Sequence, residues 1–240
     1  MHIQTDDIPI AKTDSWKIFD QIHTRYDFVN HVLSFGLDIA WRRQLKALLP
    51  DEENLTILDL ATGTADVLLA LVAGNDAIAK AYGIDLSENM LALGREKIRK
   101  AHLDGRITLQ KGDATQIPFP ENTFHAVTIA FGIRNVANAI LGMKEMYRTI
   151  MPGGRALILE FSIPENFLIR FFHLGYLRIM VPLLGGMISG NFKAYNYLNR
   201  TIEKFPCGER FCRMMRQTGF KNIKRRELMS GTATIYVGDK

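Results

Sequence analysis

Gly63, Asp85, Asp113 and Ala114 are spaced as a nucleotide-like ligand would require. The turn Asp59-Leu60-Ala61-Thr62-Gly63-Thr64-Ala65-Asp66 contains one glycine, flanked by Ala61 and Ala65 at the neighbouring alternate positions. A dinucleotide fingerprint needs GxGxxG, so that backbone amides can approach a pyrophosphate. This turn suits a ligand that wants close backbone approach but carries no pyrophosphate. Asp85 follows Gly63 by 22 residues, the spacing at which a strand-end carboxylate accepts hydrogen bonds from both ribose hydroxyls. Asp113 and Ala114 would offer an adenine ring an acceptor and a backbone amide. S-adenosylmethionine meets these conditions: its amino-acid end wants polar and acidic groups, and its sulfonium wants no fixed cation nearby. It is the expected cofactor, with NAD or no cofactor as the alternatives.

Strand ends must hold those residues. From residue 14 to 49 apolar side chains such as Ile18, Ile22, Tyr26 and Val29 recur at helical spacing, until Pro50 and an acidic turn stop the pattern. An apolar run at 55–60 leads into the glycine turn and an apolar helix. A second run at 79–85 ends in Asp85, and Ser87 is placed to cap the helix that follows. Further strands are expected at 107–111, 126–131 and 156–161, the last after the turn Met151-Pro152-Gly153-Gly154. Strand alternating with helix implies an α/β fold with a parallel, doubly wound sheet. After an insertion at 164–205 and a helix at 208–218, two strand candidates at 222–228 and 232–237 have no helix between them. They should pair antiparallel at one sheet edge, unlike an ordinary dinucleotide-binding Rossmann fold. Within the insertion, 167–188 is long enough to span a bilayer, but Arg170, His173 and Arg178 interrupt it, and a central Arg costs ~2.5–3.5 kcal/mol. Pro182 and Gly185-Gly186 are expected to end the helix early, so the segment is not read as transmembrane.

Composition sets the class. A chain of 240 residues with 47% hydrophobic and 23% charged residues fits one globular domain and excludes a disordered chain. The net charge of +5 is local: residues 200–240 hold 10 Lys/Arg against 4 Asp/Glu, and the rest hold 20 against 21. A nucleic-acid enzyme with a charged main cleft is therefore not supported. Cys207 and Cys212 read as ordinary reduced thiols, and no second pattern completes a metal site. The opening residues carry no basic stretch followed by an apolar one, so a cytoplasmic location is expected.

Two longer motifs carry a resemblance to a known family. Residues 26–34, Tyr-Asp-Phe-Val-Asn-His-Val-Leu-Ser, continue to Trp41; residues 148–162, Arg-Thr-Ile-Met-Pro-Gly-Gly-Arg-Ala-Leu-Ile-Leu-Glu-Phe-Ser, form the second. Between them lie Pro118-Phe119-Pro120-Glu121-Asn122-Thr123-Phe124 and Phe131-Gly132-Ile133-Arg134-Asn135-Val136. Over roughly residues 14–240 the chain resembles the ubiquinone/menaquinone biosynthesis C-methyltransferases. It departs from their pattern at Val29, Asp38, Met151 and Ala130, where the family usually has Met, His, Lys and Ser. The resemblance implies a Rossmann-like class I methyltransferase: a seven-stranded, mostly parallel sheet with an antiparallel C-terminal edge strand. It also implies a single domain over 1–240, with an N-terminal helical cap at 14–49 and a lid insertion at 164–205. Thr64, Asp85 and the Asp113-Ala114 pair are carried over as cofactor contacts.

The implied reaction is methyl transfer to a ring carbon of a demethylated polyprenyl quinol, demethylmenaquinol or a ubiquinol precursor. Carbon methylation needs electron density pushed into the ring, so one hydroxyl must lose its proton. Arg134 is expected to favour the phenolate by its charge, and Asn135 to hold a ring oxygen. Tyr26 and Asn30, four apart on a helix, would close over the ring. His23 and His31 are candidate bases. The insertion's apolar face, with Tyr195 and Tyr197, would admit the prenyl tail and touch a membrane surface. The alternatives are another small-molecule methyltransferase, a nucleic-acid methyltransferase using the basic tail, and a non-catalytic protein that keeps the cofactor fold. An NPPY-like amine-methylating motif is absent, AFGIRN standing in its place.

Overall fold

The computed structural model describes residues 16, 17, 20, 31, 32, 34–190 and 192–240. Tyr26, Asn30 and His23 lie outside the described residues. Seven strands form one sheet: β1 (Leu55–Leu60), β2 (Ile78–Asp85), β3 (Ile107–Lys111), β4 (Phe124–Ala130), β5 (Ile150–Phe161), β6 (Lys221–Leu228) and β7 (Ala233–Asp239). Their spatial order is β3-β2-β1-β4-β5-β7-β6. The first five pair in parallel, while β7 runs antiparallel to both β5 and β6. The C-terminal pair forms as expected, with β7 tucked inside and β6 outermost. The reason is burial: β7 (Ala-Thr-Ile-Tyr-Val-Gly) is buried on both faces, whereas β6 carries Lys221, Lys224, Arg225 and Arg226 in exposed positions.

Helices cover both faces. On one lie α1 (Leu37–Lys46), α2 (Asp66–Val72) and α3 (Glu88–Lys100), which bury Leu45, Leu68, Leu71, Leu91 and Ile98 against the sheet. On the other lie α4 (Ala139–Thr149) and α8 (Glu209–Gln217), through Met143, Met146, Phe211 and Met215. Fully burying side chains of this size contributes about 1.5–3 kcal/mol each. Ser87 caps α3 as its position predicts, its Oγ accepting the Met90 N–H at 3.2 Å.

Three local expectations need correction. The helical pattern of 14–49 is broken at Ser34–Gly36, where Phe35 and Gly36 take left-handed φ of 53° and 73° before α1 starts. β5 begins six residues early, at Ile150: the Pro-Gly-Gly turn is a bulge inside the strand, with Gly153 at φ 84° and a register shift against β4. The third correction concerns the insertion. Residues 167–189 form one continuous helical run, and its 22-residue part Phe167–Ile188 is long and apolar enough to cross a membrane by length and composition. The run comprises α5 (Phe167–Gly175), a π turn (Tyr176–Met180) and α6 (Val181–Ser189), and α7 (Phe192–Lys204) follows. Pro182 does not end it, because the wide π turn just before removes the crowding that a proline ring imposes on the preceding carbonyl. Gly185 and Gly186 let α7 approach instead, since a Cβ on either would strike the rings of Tyr195 or Phe192.

Candidate active site

The two halves of the site lie on either side of the point where the strand order reverses, between β1 and β4, as open parallel sheets favour. On the β1 side, Ala61, Gly63 and Ala65 all take left-handed φ, at 48°, 55° and 65°. Such a conformation costs an alanine roughly 1–2 kcal/mol, so the turn stores strain that only a defined local purpose justifies. The Gly63 N–H donates to Asp85 Oδ2 at 2.9 Å, and the Ser87 N–H to Asp85 Oδ1 at 2.9 Å. Burial raises the Asp85 pKa; those two N–H bonds work against it. Asp113 Oδ1 accepts the Thr115 N–H and hydroxyl at 2.7 and 2.8 Å, which fixes the turn after β3 that also buries Ala114. Thr64 is buried, and its hydroxyl accepts Lys97 Nζ at 3.0 Å; Lys97 also pairs with Asp66 at 2.6 Å.

One residue the sequence did not single out belongs here. Asp59, at the end of β1, is fully buried, and burial pushes its pKa up to about 7. Its Oδ1 accepts the Thr128 hydroxyl at 2.5 Å, and the nearby Thr62 hydroxyl also favours the ionised form, while Oδ2 has no partner in hydrogen-bond geometry among the described residues. Being buried is the only thing that marks this aspartate, and burial is invisible in a local motif. An unpartnered carboxylate oxygen beside a strained, amide-presenting turn, with a second carboxylate at the next strand end, fits S-adenosylmethionine. The cationic amino-acid end of that cofactor offers what the buried acid lacks, and its ribose offers donors for Asp85.

Across the switch point, a cavity of about 270 Å³ opens over the ends of β4 and β5. Trp41, Phe131 and Phe161 wall it, with Phe131 and Phe161 rings 4.4 Å apart and Trp41 at 6.1 and 6.4 Å from them. Leu177, Val181 and Tyr195 of the insertion roof it. Its ionisable lining includes Asp38, Arg42, Arg134 and His173. The left-handed turn after β1 comes very close: a Cβ on Gly132 would lie 2.8 Å from the Ala61 Cβ.

Arg134, 3% exposed, pairs through Nη1 with Glu160 Oε1 at 2.5 Å, and its guanidinium sits 5.3 Å from the Phe161 ring centre. Asn135 follows it on the 3-10 turn Ile133–Asn135 but is not among the lining residues. Asp38, the departure from the family's histidine, is the hub of a network. It accepts from Arg42 and Ser34 and bonds His31 Nδ1, each at 2.7 Å. Tyr195 lines the cavity as expected; Tyr197 is buried away from it. The insertion's apolar face is not packed: Phe167, Leu168, Phe171, Phe172, Ile179 and Met187 are all exposed. Among the described residues no cluster of His, Cys, Asp and Glu is placed to hold a metal ion.

Comparison with known proteins agrees with this geometry. Residues 10–240 match the profile of the ubiE/COQ5 methyltransferase family. The ubiquinone/menaquinone biosynthesis C-methyltransferase UbiE of Geotalea daltonii is 43% identical over 224 residues, 93% of this chain and 95% of its own. The demethylmenaquinone methyltransferase of Thermus thermophilus is 41% identical over 223 residues, 93% of this chain and 100% of its own. Among solved structures, a SAM-dependent methyltransferase from Thermotoga maritima superposes with a TM-score of 0.66 at 19% identity, over 94% of this chain and 99% of that one. That likeness establishes the fold alone, the α/β architecture of class I methyltransferases. With the profile and relatives of this identity covering nearly its whole length, the chain belongs to the ubiE/COQ5 methyltransferase family.

Proposed function

We propose that the protein methylates a ring carbon of a demethylated polyprenyl quinol, as a C-methyltransferase of menaquinone or ubiquinone biosynthesis that uses S-adenosylmethionine. The observation that carries the reading is the aromatic-walled cavity holding a buried arginine, set directly against the cofactor turn, in a chain of this family. A quinol ring needs flat apolar walls, and its oxygens need a few fixed polar partners. When bound, S-adenosylmethionine supplies a methyl group activated by its sulfonium. The chain must position the ring, favour loss of one hydroxyl proton and keep water out. Gly63, Thr64, Asp85, Asp113 and Ala114 hold the cofactor, joined by Asp59. Arg134 offers its charge to the developing phenolate, held in place by Glu160. Tyr26 and Asn30 are assigned to the ring, and Asn135 to its rim, on their motifs alone.

The same reading extends to a bilayer. Phe35, 78% exposed, lies at the cavity rim with its ring 5.8 Å from that of Tyr176, next along the chain from the exposed face of α5. A prenyl tail leaving the cavity would meet that apolar face, which suits the interfacial layer of a membrane. The test is turnover by the purified protein with demethylmenaquinol and with the matching benzoquinol precursor, following methyl transfer from labelled S-adenosylmethionine. Methylation of either ring supports the reading, and inertness toward both refutes it.

A further inference from the structure

Two buried polar atoms of cavity-lining residues have no hydrogen-bond partner among the described residues: Arg134 Nε and His173 Nε2. A buried polar atom left unsatisfied carries a desolvation cost that a ligand supplying the missing partner recovers. The first is a donor. The second is the acceptor of a neutral imidazole, because the hydrogen bond with the Ser162 backbone, which favours the protonated ring, falls to the other nitrogen. A cavity offering one orphaned donor and one orphaned acceptor, between aromatic walls, suits a ring bearing two oxygens.

Among the described residues, the remaining titratable groups facing this cavity are already engaged or stay protonated. The Asp38 carboxylate is already engaged by His31, Ser34 and Arg42. Arg42 and Arg134 are cations held by carboxylates. Burial raises the Tyr176 pKa, which keeps its phenol protonated at neutral pH, and Tyr195 is a buried phenol on α7. His31 is oriented by Asp38 but does not line the cavity.

We propose that His173 is the general base that takes the hydroxyl proton of the quinol. The inference rests on the quinol C-methylation reading above. The hydroxyl proton passes to Nε2 as the ring carbon's electron pair forms the new carbon–carbon bond, and the pair of the sulfur–methyl bond stays on sulfur. The ring carbon then loses its hydrogen as a proton to solvent while the ring oxygen recovers the proton from Nε2. One proton is released per turnover, matching the sulfonium charge that disappears. Burial lowers the His173 pKa, so the ring stands neutral and competent at neutral pH.

The test compares the wild type with His173→Gln and His173→Ala, using the quinol that the wild type methylates. Expected for His173→Gln is a fall in kcat of roughly 100-fold or more, with the KM for quinol within about threefold and the Kd for S-adenosylmethionine, by calorimetry, within about twofold. The acid limb of the wild-type kcat profile, set by protonation of the base, should vanish in the variant. Added imidazole should restore turnover to His173→Ala. Near-normal kcat with an unchanged acid limb in His173→Gln overturns the proposal. So does loss of turnover that accompanies loss of cofactor binding and resists imidazole, since that loss is structural. A wild type inert toward every quinol refutes the underlying reading instead, a separate outcome.

Discussion

The substitution Asp59→Asn should change the pH dependence of stability by an amount the structure fixes. The folded pKa of Asp59 is about 7 against an ordinary 3.8. The folded chain therefore holds this proton more tightly than the unfolded chain does. The stability this contributes is complete below pH 3.8 and is lost as the pH rises towards 7. A shift of about three units at about 1.4 kcal/mol each amounts to ~4 kcal/mol. Between pH 5 and pH 8 the remaining part is about two units, or ~3 kcal/mol. An asparagine side chain does not titrate, so the cofactor-free variant should gain about that much stability relative to the wild type from pH 5 to pH 8. Groups that do not interact with Asp59 cancel in the difference, whereas the Asp85 charge, which raises the Asp59 pKa, adds its coupling to the measured value. Urea unfolding of both proteins at pH 5, 6, 7 and 8 measures it, provided the m-values agree. A difference flat to within ~0.5 kcal/mol would refute the buried-acid reasoning. The same acid should couple to the cofactor: if a cation comes to rest by Asp59, S-adenosylmethionine binding at pH 6.5 releases protons in the wild type and not in the variant. Calorimetry in two buffers of different ionisation enthalpy reads that directly.

Other consequences follow from single contacts. Arg134→Met leaves Glu160 buried without its partner and should cost about 3–5 kcal/mol of stability; adding Glu160→Leu should recover most of it in urea unfolding without recovering turnover. Asp85→Ala should weaken S-adenosylmethionine binding at least tenfold by calorimetry, and affinity within twofold of the wild type would remove Asp85 from the cofactor site. Phe171→Asp with Phe172→Asp, at positions 64% and 66% exposed, should leave the unfolding midpoint unchanged and reduce sedimentation with vesicles. Equal sedimentation would dissociate that face from the bilayer.

How much of this was legible depended on whether the cause was local. The runs Leu-Thr-Ile-Leu-Asp-Leu and Ile-Thr-Leu-Gln-Lys are strands over the very residues their patterns mark: the first, buried in the middle of the sheet, reads as a short apolar run, and the second, at the edge, buries only Ile107 and Leu109 in alternation. Ser87 was legible as a cap for the same reason: its bond reaches only three residues. The early start of β5 was not, because it depends on pairing with β4 and on the Lys240 backbone that meets Gly153 and Gly154. Arg134 was marked, but its partner Glu160 lies 26 residues away, in β5. His173 looked like a polar interruption of an apolar helix. Only the packing of the insertion over β5 shows that its ring enters the cavity, and no spacing rule carries that information.

The basic tail shows how a structure can move a charge from one explanation to another. Lys221, Lys224, Arg225 and Arg226 all lie on β6, the exposed edge of the sheet. An edge strand presents unpaired N–H and C=O groups to any passing chain, and charged side chains along it discourage that pairing. The local excess of Lys and Arg thus has a structural role that requires no polyanion. Attraction to an anionic bilayer, worth about 1 kcal/mol per basic residue close to the surface, remains available to these side chains, but it does not depend on them alone. The exposed rings of α5 would supply an apolar contribution, which salt does not screen, whereas a basic strand acting by itself would be screened over about 8 Å at physiological ionic strength. Vesicle binding that survives high salt therefore belongs to the helix and binding that salt abolishes belongs to the strand, which makes ionic strength the variable that separates the two faces.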